Sequence, residues 1–276
     1  MPENNIDVYA VNLTGTLDKD TYNRLLMHVS SEKQARIPRF YREEDRIRGL
    51  MAEILVRTII IRKTGLRNHE IEFYTNEYGK PFLIIPQRNE QKKQEFETLS
   101  SKKEGPEAAQ EGLGHRPILK NQNDLQFNLS HSGIWVVCAV DNLPVGIDVE
   151  RIQPIDLDIS KNYFSPDEHQ DLLAKDDKYA YFFTLWSLKE SYIKIVGKGL
   201  SLPLNSFSIK FFGINDIRIK EENRLLENIF FSQYEIDKNY KMAVCASHNK
   251  FPNRVQVKTM YQLADEFLHD LLNYKN

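Results

Sequence analysis

The chain has 276 residues, 41% of them hydrophobic and 28% charged, with 37 Lys and Arg against 39 Asp and Glu. Such a chain can bury a sizeable core, and its composition excludes a disordered, collagenous or disulfide-framed protein. A net charge of −2 supplies no global positive field for nucleic acid or an anionic membrane, so any phosphate site must be local. The N-terminus lacks the basic start and apolar run of a signal peptide, and no apolar run is long enough to span a bilayer. A cytoplasmic location is expected. Periodicity then predicts a strand over residues 8–13, a polar helix from near Asp18, and a long helix over 41–63 with Gly65 as its C-terminal cap. Strands follow over 71–74, 125–129 and 134–140.

The second half repeats this order, with a strand over 145–150, a helix after Ser165, a long helix over 179–196 and further strands. Details recur as well. The long helices end Arg62-Lys63-Thr64-Gly65-Leu66 and Val196-Gly197-Lys198-Gly199-Leu200, and Cys138 and Cys245 sit alike in apolar strand runs, where buried free thiols are expected. The predicted fold is α+β: two pseudo-symmetric halves, 1–143 and 144–276, each a small mainly antiparallel sheet with helices. The active site is expected in the cleft between them. Residues 87–123 break the pattern, being rich in Glu, Lys, Gln, Asn and Ser, and are read as a mobile insertion in the first half.

Several short stretches carry possible chemistry. In Val145-Gly146-Ile147-Asp148-Val149-Glu150, strand alternation puts both carboxylates on one face, which suits a hard cation or, equally, a strand showing charges to water. In the second long helix Trp186, Glu190 and Lys194 share a stripe. That is either part of a site or an ordinary i,i+4 ion pair. Phe127-Asn128-Leu129-Ser130-His131-Ser132-Gly133 reads as a strand entering a tight turn whose hydroxyl, imidazole and backbone donors suit an anion, or as a plain hairpin. Lys33, Arg36 and Lys80 are scattered cations. Ser165-Pro166-Asp167-Glu168 is a capping box, which makes Glu168 a secondary candidate only.

Taken in order, Tyr78-Gly79-Lys80-Pro81, Phe127-Asn128-Leu129-Ser130-His131-Ser132, Gly146-Ile147-Asp148-Val149-Glu150, Phe164-Ser165-Pro166-Asp167-Glu168 and Trp186-Ser187-Leu188-Lys189-Glu190-Ser191-Tyr192-Ile193-Lys194 closely resemble the phosphopantetheinyl transferases of the surfactin-synthetase type. The likeness runs over nearly the whole chain outside the insertion. It implies an enzyme that moves the 4'-phosphopantetheine arm of coenzyme A to a serine of an apo acyl or peptidyl carrier protein, releasing 3',5'-ADP. By the resemblance, Asp148, Glu150 and Glu190 are magnesium ligands and Lys194 lies near the diphosphate. Lys33, Lys80, Ser130 and His131 match positions that hold the 3'-phosphate and the nucleotide. Arg36 stands where some members have Lys, and Gly49 where a hydroxyl residue is expected. Glu190 is the expected base, with Glu168 as the alternative. A monomer serving lipid or antibiotic biosynthesis, with no nucleic-acid or membrane partner, completes the expectation.

Two other classes share some of these features. A magnesium-dependent nuclease also uses spaced acids with Glu and Lys, but it needs a basic groove that this composition does not supply. A non-catalytic module binding coenzyme A or a carrier would leave the acids without a role.

Overall fold

The computed structural model describes residues 5–84, 125–213, 216–222 and 224–273. The 87–123 insertion lies outside the described residues. The first half runs β1 (Asp7–Asn12), α1 (Lys19–Leu26), α2 (Ser31–Arg36), α3 (Glu43–Thr64), β2 (Glu72–Thr75), β3 (Pro81–Ile84), β4 (Gln126–Ser132) and β5 (Trp135–Asp141). The second runs β6 (Val145–Arg151), α4 (Ser160–Tyr163), α5 (Pro166–Leu173), α6 (Lys178–Val196), β7 (Phe207–Phe211), β8 (Ile217–Glu221), β9 (Arg224–Leu225), β10 (Phe230–Gln233) and β11 (Tyr240–Ala246). β12 (Gln256–Thr259) and α7 (Met260–Asn273) end the chain. The α+β fold with two related halves is as the sequence predicts.

The halves repeat one arrangement. β1 pairs antiparallel with β5 and β6 pairs antiparallel with β11, over registers that include Tyr9↔Cys138 and Gly146↔Cys245. One face of β5, carrying Val136, Cys138 and Val140, packs under α3, while Ala243 and Cys245 of β11 join the core under α6. The opposite faces meet in a shared cluster in which Val8, Val137 and Ala139 contact the group of Val145, Ile147, Val149 and Val244. Burial on both faces explains why β5 reads as an unbroken apolar run. Both cysteines are free and buried, and burial pushes both thiol pKa values up.

The long helices stop where a left-handed residue is available: Gly65 has φ 72° and Gly197 has φ 75°. The sequence reading of the last stretch as strands misses a return crossing. β12 pairs parallel with β1, and Met260, Leu263, Ala264 and Phe267 of α7 enter the core under α3. The chain after Gln256 therefore packs on the first half, across the division expected near Leu143. Among the described residues no helix is long and apolar enough to cross a membrane.

Candidate active site

Gly146, Asp148 and Glu150 face α6, while Val145, Ile147 and Val149 turn into the shared cluster, as alternation requires. Gly146 has no side chain to hold α6 away. A Cβ there would lie 2.0 Å from Ser191 O and 2.9 Å from Ile195 N. This contact brings Glu190 and Lys194 over the two strand carboxylates. Lys194 Nζ donates to Asp148 Oδ1 (2.8 Å) and to Ile147 O (3.0 Å).

β4 contributes from the other half through every second residue. Asn128 Oδ1 accepts from Ile147 N (3.1 Å), Ser130 Oγ donates to Asp148 Oδ1 (2.8 Å), and Ser132 Oγ donates to Glu150 Oε2 (3.1 Å). Ser132 Oγ also accepts from Arg151 N (3.1 Å). Side chains of β4 thus take up the edge of β6 that faces away from β11.

The electrostatics are those of crowded acids. Burial first, then the charge of Asp148, pushes Glu150 up to about 7; Glu190 adds to the rise, while Ser132 and Lys194 oppose it. Glu190 is raised by burial and then by Asp148, with Lys194 opposing. Asp148 is 3% exposed, and its Oδ2 is buried without a hydrogen-bond partner. Two carboxyls raised by burial and by the charge of Asp148, together with an unanswered buried oxygen, fit a hard cation. Among the described residues, however, no three Asp, Glu, His or Cys side chains form a ready-made metal cluster. Lys194 supplies the positive charge on Asp148 in this arrangement.

The remaining predicted residues fall in different places. His131 is exposed at the β4–β5 turn, yet desolvation by surrounding protein, helped by the cations Arg48 and Lys194, holds its pKa below the ordinary imidazole value. Lys33 is half-buried on α2, and Arg36 is exposed with its guanidinium 6.0 Å from the Phe40 ring centre. Lys80 points elsewhere: its Nζ donates to Lys194 O (2.6 Å) instead of standing open to a phosphate. Glu168 is 3% exposed. Its Oε2 accepts from Ser165 N (2.8 Å) and pairs with Lys189 Nζ (2.8 Å), and its Oε1 accepts from Ile209 N (2.6 Å). In this arrangement both oxygens of Glu168, the alternative base of the sequence reading, are taken up by Ser165, Lys189 and Ile209.

Residues 144–245 match the family described as the 4'-phosphopantetheinyl transferase superfamily, and residues 17–103 match a family described as 4'-phosphopantetheinyl transferase, N-terminal. The chain is 37% identical over 258 residues to 4'-phosphopantetheinyl transferase Sfp of Bacillus subtilis, a similarity covering 93% of this chain and 99% of that protein. The chain belongs to the 4'-phosphopantetheinyl transferase family. It is also 32% identical to 4'-phosphopantetheinyl transferase gsp of Aneurinibacillus migulanus, over 98% of this chain and 99% of that one.

Sequence reasoning missed three contributors to the site of this transferase. Asn128 and Ser132 lay inside a recognised motif, but only the approach of β4 to β6 gives them partners. Arg48 donates to Gly133 O (2.7 Å) while bonding Asp45, and its charge acts on His131. In sequence, Asp45 and Arg48 look like a solvated i,i+3 pair.

Proposed function

We propose that this transferase moves 4'-phosphopantetheine from coenzyme A to a serine of an apo acyl or peptidyl carrier protein, releasing 3',5'-ADP, with magnesium as cofactor. The observation that carries the reading is the convergence of Asp148 and Glu150 on β6 with Glu190 and Lys194 on α6. Asp148, Glu150 and Glu190 would hold the metal. When bound, it would offset negative charge on the diphosphate of coenzyme A.

The chain's own groups account for the rest. Lys194 Nζ stands ready to turn from Asp148 toward a diphosphate oxygen and neutralise charge that grows as the bond to the leaving group lengthens. Glu190, beside Asp148 and Lys194 on α6, is the group that takes the proton from the attacking serine hydroxyl. His131 and Arg48, together at the β4–β5 turn, supply hydrogen-bonding and cationic groups for the nucleotide phosphates, and Lys33 is assigned to the same phosphates by the resemblance alone. Positioning and electrostatics dominate such transfers, which suits a site whose groups come from both halves. We further propose a cytoplasmic monomer acting in lipid or antibiotic biosynthesis.

The test is mass spectrometry of several purified apo-carriers after incubation with the protein, coenzyme A and magnesium. A gain of one phosphopantetheine on the carrier serine is expected. Binding of coenzyme A without any gain would support a non-catalytic module instead.

A further inference from the structure

The turn between β2 and β3, in the first half, closes the C-terminal end of α6, in the second. The last carbonyls of a helix have no partner within it. In α6, Gly197 N–H answers Ile193 O (2.8 Å), and the next carbonyls are answered from across the cleft. Asn76 Nδ2 donates to Gly197 O (2.9 Å), and Lys80 Nζ donates to Lys194 O (2.6 Å), with Ile195 O at 3.5 Å. Asn76 also builds the turn that delivers Lys80, since its Oδ1 accepts from Tyr78 N (3.1 Å) and Lys80 N (2.8 Å). Gly79, at φ 82°, allows the chain to reverse there.

The surroundings of the ammonium are those of a strut. The Phe82 ring centre lies 5.7 Å from Nζ, and the Cδ of Lys80 is close enough to Gly197 that a Cβ there would stand 3.3 Å from it. Burial lowers the pKa of Lys80 to about 8, and Cys245 on β11 is the titratable side chain that acts against that shift. A cation at a helix C-terminus is favoured by the helix dipole, which compensates part of the desolvation. The same residue whose carbonyl Lys80 binds, Lys194, places its own Nζ on Asp148.

We infer that Lys80, seated by Asn76, is a positioning residue that clamps the last turn of α6 from the opposite half and thereby sets Lys194 over the strand carboxylates. This rests on the reading of Lys194 as the group that meets the diphosphate. It also gives Lys80 a role different from direct contact with the 3'-phosphate, and the two roles separate experimentally.

Lys80→Met keeps the packing on Phe82 and removes the donor; Lys80→Ala removes both. Hydrogen exchange along α6 needs no substrate, and both variants should speed exchange over 193–197 about five-fold or more while 180–190 stays as in the wild type. Unchanged exchange over 193–197 overturns the clamp whatever the transfer assay gives, so failure of the proposed reaction and failure of this inference are distinct results. In transfer assays with coenzyme A and with its 3'-dephospho form, kcat should fall about ten-fold for both, with the wild-type preference between them retained. A variant that loses that preference, with kcat intact, makes Lys80 a phosphate ligand and removes the inference. The Lys80→Met loss should also vanish in a Lys194→Ala background; full additivity of the two losses would equally overturn it.

Discussion

Gly146 of β6 and Ser191 of α6 touch backbone to backbone: a methyl group on Gly146 would lie 2.0 Å from the Ser191 carbonyl oxygen. Two residues further along β6 is Asp148, and one residue before Ser191 is Glu190. The closeness of strand and helix at this point is therefore what allows their acids and Lys194 to act together.

Gly146→Ala should destabilise the protein. In an open strand the exchange of Gly for Ala gains stability by restricting the unfolded chain, about 0.5–1 kcal/mol. Here the new Cβ meets main-chain atoms that cannot rotate away, so a loss of roughly 2–3 kcal/mol is expected. Chemical denaturation measures it. A neutral or stabilising result would mean that α6 can withdraw freely from β6. In the folded fraction, transfer should fall as well, because Asp148 and Lys194 part.

Asp148→Asn, Glu150→Gln and Glu190→Gln should each reduce transfer by about 100-fold or more, with circular dichroism unchanged. None of the three supports the apolar core, since their side chains face the cleft between β6 and α6. A variant with wild-type turnover would drop out of the site.

Glu150 should leave a signature in stability against pH. Its folded pKa of about 7 exceeds that of an unfolded glutamate, so the fold prefers the neutral acid. That preference is complete at pH below about 4.5 and is lost as pH rises through about 7. Glu150→Gln, neutral throughout, should melt near the wild type at pH 5 and about 3 °C higher at pH 8. Millimolar magnesium should narrow the gap at pH 8 by stabilising the wild type. A difference independent of pH would remove the crowding of carboxylates from the account.

Glu168→Gln and Lys189→Met test a structural pair. Lys189 is fully buried, with Nζ on Glu168, Leu204 O (2.9 Å) and Phe207 O (2.7 Å), and 4.4 Å from the Phe207 ring centre. Burial pulls its pKa down and Glu168 holds it up. Breaking such a pair from one side costs about 3–5 kcal/mol. At a temperature where Glu168→Gln stays folded, its turnover should lie within about three-fold of the wild type, since its oxygens are taken up by the Ser165 cap, Lys189 and Ile209. A loss of turnover without loss of stability would return Glu168 to the chemistry.

His131 should titrate below the ordinary imidazole range in the free protein, through desolvation and the charges of Arg48 and Lys194. Neutral His131 is the favoured form, so its contribution to stability is present above the unfolded pKa and is lost as pH falls through the folded one. Arg48→Ala should raise the value, and so should coenzyme A if its phosphates reach this corner. Proton NMR of the imidazole checks both. A titration that neither change moves would separate His131 from the phosphate-binding side of the cleft.

Local geometry made much of this protein legible from its sequence. The alternation that puts Gly146, Asp148 and Glu150 on one strand face, the i,i+4 placement of Glu190 and Lys194, the glycines that end α3 and α6, and the Ser165–Glu168 capping box each depend on backbone periods spanning a few residues. The repeat of strand and helix types in both halves follows in the same way. The choice of partner does not. Whether Glu168 meets a substrate or Lys189 and Ile209, whether Lys80 meets a phosphate or the carbonyl of Lys194, and where β12 and α7 dock are decided by contacts between segments far apart in the chain, 41 residues for Glu168 and Ile209, 114 for Lys80 and Lys194. A capping box or a Gly-Lys turn reads the same whichever partner waits. Only tertiary packing selects one: inside the second half for Glu168, and between the halves, around the shared apolar cluster of Val137 and Ile147, for Lys80.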